Sequence, residues 1–170
     1  MQHRDTRRCS LKAIVAFSFG RIGKTQPSLS SREIARMVAS YVRGDQEGCY
    51  VIAQWEVAIE LRSLGAQVHY TVPLKERGYL SSRDVADAAA GFLSARRHLV
   101  SQVYAAAHPD HVERCIRCLR NARFPGAKGM TDPSIGYHFD ADEWWVRSRS
   151  SFTFRERLAI PAYLWRRELF

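Results

Sequence analysis

Four short apolar runs, each followed by a longer stretch with helical periodicity, constrain this chain more than any other feature. Lys12-Ala-Ile-Val-Ala-Phe17, Cys49-Tyr-Val-Ile-Ala53, Gln67–Val72 and His98–Ala105 read as strands. Ser30–Val42, Gln54–Leu64, Ser82–Arg96 and Pro109–Ala122 read as the helices that follow. In the first helix Ile34, Met37, Val38, Tyr41 and Val42 share one face. Gly65 closes the second helix, and Pro73 stops the third strand. Strands that are apolar almost throughout need covering on both sides. The expected fold is therefore α/β: a single Rossmann-like domain with a mostly parallel sheet of about five strands flanked by helices on both faces. A Gly/Pro loop over Phe124–Pro133 leads to an expected fifth strand at Ser134–Phe139 and a last helix at Thr153–Leu169, kinked at Pro161. Residues 11–123 make the expected core, and 124–170 pack on it through Trp144, Trp145 and Trp165.

With 170 residues, 46% hydrophobic and 25% charged, the chain is neither a disordered nor a collagen-like sequence, nor a small disulfide scaffold. Its net charge of +9 is unevenly placed. Residues 1–43 carry +7, residues 44–140 hold eleven charges of each sign, and the remainder carries +2. Residues 1–10 read as a basic flexible tail. A basic front can attract nucleic acid or anionic lipid, or it can be a solvated tail plus one helix face. No recognisable nucleic-acid motif supports the sharper reading. The apolar run Leu11–Phe19 is too short to span a membrane and lacks the order of a signal peptide, so cytoplasmic residence is expected. Cys115 and Cys118 fall inside a helical pattern and far from Cys9 and Cys49, which favours packing over zinc.

In an open parallel sheet, ligands bind beyond the carboxyl ends of the strands where the strand order reverses. The loops there are 18–27, 53–56, 73–82 and 106–114. The first, Phe17-Ser-Phe-Gly-Arg-Ile-Gly-Lys-Thr, fails as a phosphate-binding P-loop because residue 18 is Ser rather than Gly. It remains a flexible, cationic, NH-rich loop able to hold an anion through Ser18, Gly20 and Arg21. The last, Ala107-His-Pro-Asp-His-Val-Glu-Arg114, places His111 and Arg114 three apart on one helix face. That pair suits an anionic group, and a His can also exchange protons near neutral pH. The plainer account has His108 capping the helix and His111 bonding locally. Glu56 either points into the crevice or answers the dipole of its own helix. His108, Asp110, His111, Asp84 and Glu56 are metal-ligand types, but no ligand spacing such as HExxH is present.

Two segments echo one another: Leu29-Ser-Ser-Arg-Glu-Ile-Ala35 and Leu80-Ser-Ser-Arg-Asp-Val-Ala86. Ser30 with Glu33, and Ser81 with Asp84, have capping-box spacing. Convergent helix-start chemistry accounts for both without a duplication.

The order of these residues resembles a known family. An Ala-Ile-Val-type first strand with a small loop is followed by Gln54-Trp-Glu-Val-Ala58, Leu80-Ser-Ser-Arg-Asp84 and His111-Val-Glu-Arg114. Over residues 11–123 this is similar to the YdcF/SanA-like bacterial domain family. The resemblance implies a Rossmann-like sheet and a crevice between the first loop, the Glu56 turn, Ser81–Asp84 and His111/Arg114. It also implies S-adenosylmethionine as a possible cofactor. The first loop departs from the family in lacking its run of glycines.

The resulting expectation is a binding protein for a small anionic or nucleotide-like ligand, and it leaves open whether the protein is an enzyme. Ser18, Gly20, Arg21, Gln54, Ser81, Ser82, Arg83, His108 and Arg114 are the expected ligand contacts. His111, with Glu56 or Asp84, is the acid/base candidate. The competing reading is a non-catalytic interaction protein that uses its basic first third on nucleic acid or an acidic partner.

Overall fold

In the computed structural model the backbone is described for residues 11–76 and 79–165, and side chains as far as Leu158. The expected basic tail at 1–10, the Cys9 and Trp165 side chains and the helix end at 166–169 lie outside the described residues, while the last helix runs through Pro161 to Trp165. The elements are β1 (Leu11–Ala16), β2 (Arg21–Ile22), β3 (Gln26–Pro27), α1 (Leu29–Gly44), β4 (Cys49–Gln54) and α2 (Trp55–Ser63). Then come β5 (Tyr70–Val72), α3 (Ser82–Ser94), β6 (Val100–Ala106), α4 (Val112–Asn121), β7 (Lys128–Met130) and α5 (Arg149–Trp165).

Five strands form one parallel sheet in the order β5-β4-β1-β6-β7. The chain builds outward from β1 to β5, then returns to the other side of β1 to lay down β6 and β7. The order therefore reverses between β1 and β6, and the crevice above their carboxyl ends is the switch point. Strand alternation sends Ala13, Val15, Phe17, Ile52, Val103 and Ala105 to the face covered by α3 and α4. Ile14, Ala16, Val51, Ala53 and Ala106 face α1 and α2. Ile135, Ala141, Val146 and Phe152 from the C-terminal segment complete that second core. The expected α/β architecture is the observed one.

Several local expectations are corrected. The fifth strand is Lys128–Met130, not Ser134–Phe139. Residues 104–106 pair with 128–130, and a side chain at Gly129 would come within 3.1 Å of Val112 and 3.2 Å of Ile116. Residues 134–139 instead form a loop fastened by Asp132, whose carboxylate accepts from the Ser134 amide at 2.8 Å, and by Glu33, which accepts from the Gly136 amide at 3.1 Å. The first loop holds an antiparallel hairpin, β2 with β3, rather than flexible chain. Strand β5 starts at Tyr70 because the His69 ring nitrogen Nδ1, not a backbone carbonyl, accepts the Val51 amide at 3.0 Å. Helix α4 starts at Val112, since the His108 carbonyl collects both the His111 and Val112 amides and folds Pro109–His111 into a turn. Cys115 and Cys118 are buried free thiols on α4. No helix among the described residues is long and apolar enough to cross a membrane.

Candidate functional site

The crevice at the switch point is lined by Ser18, Gly20 and Arg21 after β1, Gln54 and Glu56 after β4, and Ser82, His111 and Arg114 from the α3 and α4 starts. The free space within it is about 40 Å³, enough for a few waters or one small oxyanion.

His111 is buried between aromatic rings, with Phe17, Phe19 and Phe152 at centroid distances of 6.5, 5.9 and 6.1 Å. Its Nε2 lies 2.9 Å from both the Ser82 hydroxyl and Arg114 Nη2. A guanidinium can only donate, so Nε2 is the acceptor and the ring proton sits on Nδ1. Burial, and then the Arg114 charge, push its pKa well below the ordinary value. His111 is thus a neutral acceptor that orients Ser82 and Arg114, and the geometry disfavours it as the proton carrier. The sequence pairing of His111 with Arg114 is present; of the acid/base candidates, the geometry favours another.

Glu56 is the group suited to that role. It sits in the first turn of α2, only 4% exposed. The Gln54 amide reaches one of its oxygens at 3.4 Å, and Oε2 has no hydrogen-bond partner among the described residues. Burial raises its pKa to about 7. Gln54 serves twice, since its carbonyl oxygen also accepts the Ser18 amide at 3.2 Å.

The remaining expected contacts have other partners. Asp84 belongs to the α3 cap and to Lys75, 2.7 Å away. Ser81 is the other half of that capping box. Arg83 faces Asp87 along the helix at 3.5 Å. His108 stacks on Phe19 at 3.9 Å and accepts the Asp110 amide through Nδ1, with burial lowering its pKa to about 4. None of these four lines the crevice. The amides of the first loop, expected to face an anion, are also taken. Phe19 donates to the Ser31 hydroxyl at 2.9 Å, Arg21 to Glu143 at 3.0 Å and Gly23 to Asp142 at 2.6 Å. Gly20 serves close approach: at φ +91° a side chain there would come within 2.7 Å of Val146.

What the sequence reading missed is the outer wall. Tyr79, Glu143, Trp145, Phe152 and Arg155 also line the crevice, and all but Tyr79 come from the segment expected only to pack. Glu143 pairs with Arg21 at 3.2 Å, and Glu156 pairs with Arg114. Arg155 lies over the Trp145 ring at 4.6 Å and the Tyr79 ring at 5.5 Å. The signal was the mixture of aromatics with three arginines, flanked by Glu143 and Glu156, which is richer than packing alone needs.

Among the described residues no three His, Cys, Asp or Glu side chains converge as a metal site would require. Comparisons of the chain with protein-family models, with curated proteins and with solved structures give no match.

Proposed function

We propose that the crevice binds a small ligand through an anionic group, nucleotide-like in class, with Glu56 exchanging a proton with it. The observation that carries this reading is a buried carboxyl with a pKa of about 7 set among three arginines at the switch point. Arg21 pairs with Glu143 there, and Arg114 and Arg155 meet at Glu156. Guanidinium groups in so enclosed a crevice attract an anionic group more strongly than they would in open water. His111 holds Arg114 in place. The crevice as it stands takes a phosphate-sized group. A whole nucleotide, or the S-adenosylmethionine implied by the YdcF/SanA-like resemblance, requires the 143–156 wall to move outward.

The basic-front alternative finds less support. Lys12 is engaged by Asp45 and Glu47 at 3.0 and 3.1 Å, Arg21 by Glu143, and Arg36 by Glu60 at 4.0 Å. A thermal-shift screen of phosphate-, carboxylate- and nucleotide-bearing metabolites tests the proposal. Hits should stabilise the wild type, fail on Arg114→Ala, and recover in part on Arg114→Lys, which keeps the charge but loses the fork. Equal stabilisation of wild type and Arg114→Ala by every hit removes the site.

A further inference from the structure

We propose that the end of the sheet opposite the crevice is a second binding surface, and that it takes the phosphate backbone of a single-stranded nucleic acid. This goes beyond the crevice reading and does not depend on it.

Residues 44–140 are neutral in sum, yet the fold sorts their charges by position. Neither 88–109 nor 114–131 contains an Asp or a Glu. These segments supply the end of α3, the start of β6, the end of α4 and the turn into β7, which the parallel sheet gathers at one end. Arg96, Arg97, Arg120, Arg123 and Lys128 belong to that end, and none pairs with a carboxylate among the described residues. Three of them are held by neutral acceptors instead. Arg97 donates to the Arg123 carbonyl at 2.5 Å, Arg120 to the Ala127 carbonyl at 3.4 Å and Arg96 to the Phe92 carbonyl at 2.8 Å. The Arg96 and Arg97 guanidiniums also lie over the Phe92 and Phe124 rings, at 4.3 and 5.9 Å. Orientation is fixed while the charge is left to solvent. The chain enters β1 at this same end, with Leu11 opposite Val100, after ten residues that hold Arg4, Arg7 and Arg8 against Asp5 alone.

Arg123 adds a second kind of observation. Among the described residues it is the one non-glycine with a positive φ, 75°. It follows the α4 cap, a position where glycine is the usual solution. An arginine kept there against that preference points to a use for its side chain beyond the turn.

Shape and charge select the occupant. Arg97, Arg123 and Phe124 are shared by two hollows, of about 320 and 170 Å³, and so form a ridge between them. The larger has Ala90, Leu93 and Ala122 in its lining, and also Asp87, which lies 3.5 Å from Arg83. A flat bilayer would meet the ridge alone and would need exposed apolar anchors, yet Leu99 is the only exposed large hydrophobic in either segment. An acidic peptide offers charge only where its sequence places it, whereas a nucleic acid offers one at every nucleotide. Guanidinium forks match phosphate oxygens. A partly apolar hollow beside them accommodates an unpaired base, which favours a single strand over a duplex.

The test is fluorescence anisotropy of labelled oligothymidylate and oligouridylate, each of about 12 nucleotides, with the full chain. Both should bind at about 50 mM salt and weaken steeply by about 200 mM; a preference between them tells DNA from RNA, and either supports the surface. Arg123→Gly suits the backbone, so it should melt at or above the wild-type temperature while binding about fivefold more weakly. Arg97→Ala should weaken binding to a similar degree, and each variant should flatten the salt slope by about 0.7. Arg36→Ala removes the same charge from α1 and should bind as wild type does. Equal affinity of wild type and Arg123→Gly, or an equal loss in Arg36→Ala, overturns the surface. No oligonucleotide binding at the lower salt overturns the nucleic-acid assignment, whether or not polyglutamate or phosphatidylserine vesicles bind in its place.

Discussion

Helices α1 and α3 begin with nearly the same residues and use them in different ways. At α3, Ser81 is the N-cap: its hydroxyl oxygen accepts the Asp84 amide at 3.3 Å, and Asp84 accepts the Ser81 amide at 2.8 Å. At α1 the cap is Ser28, which accepts the Ser31 amide at 3.2 Å. The expected box of Ser30 and Glu33 does not form. Ser30 donates to the Gly136 carbonyl at 2.9 Å, while Glu33 takes the Gly136 amide and lies 3.1 Å from the His138 ring. The cause lies one residue upstream. Ser28 precedes Leu29 and offers an earlier acceptor, whereas Tyr79 precedes Leu80 and offers none. Displaced from capping, Ser30 and Glu33 fasten the 134–138 loop. The second serines diverge as well: Ser31 pins the first loop through Phe19 and Gly20, and Ser82 opens onto His111. One helix start is committed to architecture, the other to the crevice.

A third helix start, that of α2, gives the largest test of this contrast. Asp84 and Glu56 are both first-turn acids, but one is capped and the other is buried without a full set of partners. Burial pushes Asp84 up, yet bonds from Lys75 and Ser81 outweigh it and leave its pKa below the ordinary value. Its contribution to stability is present above pH about 4 and is lost as pH falls further. Glu56 has the opposite sign. Its folded pKa is raised, so the stability linked to it is complete below pH about 4 and is lost as pH rises through about 7. Chemical denaturation between pH 5 and 8 should show wild type losing on the order of 3 kcal/mol relative to Glu56→Gln. Parallel stability curves for the two proteins would mean that Glu56 is not held neutral by the fold.

Next in size is the pair of second serines. Ser31 is fully buried and satisfies the Phe19 amide and the Gly20 carbonyl at once. Ser31→Ala should cost about 2–3 kcal/mol, against about 1 kcal/mol for Ser82→Ala, which meets one ring nitrogen at the crevice edge. A larger cost at Ser82 would reverse the division of labour between the two helix starts. The smallest effects come from the first serines. Ser81→Ala should cost about 1 kcal/mol and speed amide exchange in the first turn of α3. Ser30→Ala should cost a similar amount or less, and the faster exchange should appear at Gly136 and its neighbours, with the α1 first turn unchanged. Faster exchange at the start of α1 would restore the capping-box reading there.

The inner half of the site was legible because of chain topology. Ser18, Gln54, Glu56, His111 and Arg114 follow strand ends closely, and a parallel sheet collects those ends at one edge whatever the details. The chemistry assigned within that set was less legible. Whether a His is a base or a neutral acceptor depends on its burial and on which nitrogen faces an arginine, and neither is a property of sequence spacing. Asp84 was claimed by its own helix end, a local alternative visible in the Ser81–Asp84 spacing. The outer half showed only as a composition rich in aromatics and charge, because Arg21 finds Glu143, Leu29 finds Asp140 and Gly23 finds Asp142 across more than a hundred residues.

By itself the sequence determined the alternation of buried strands and amphipathic helices, and with it a mostly parallel sheet; the switch point between β1 and β6 came from the strand order of the fold. Hydrophobic period is a local property, and burial on both faces leaves such strands few other arrangements. Tertiary structure alone decided the fifth strand, the displaced cap of α1 and the wall of glutamates and arginines over the crevice. Lys128-Gly-Met130 has no apolar pattern of its own and becomes a strand because β6 offers it a ladder and its glycine lets α4 pack closely. The wall exists because long-range hydrogen bonds and ion pairs hold it there, and those depend on where the chain returns rather than on what its neighbours in sequence are.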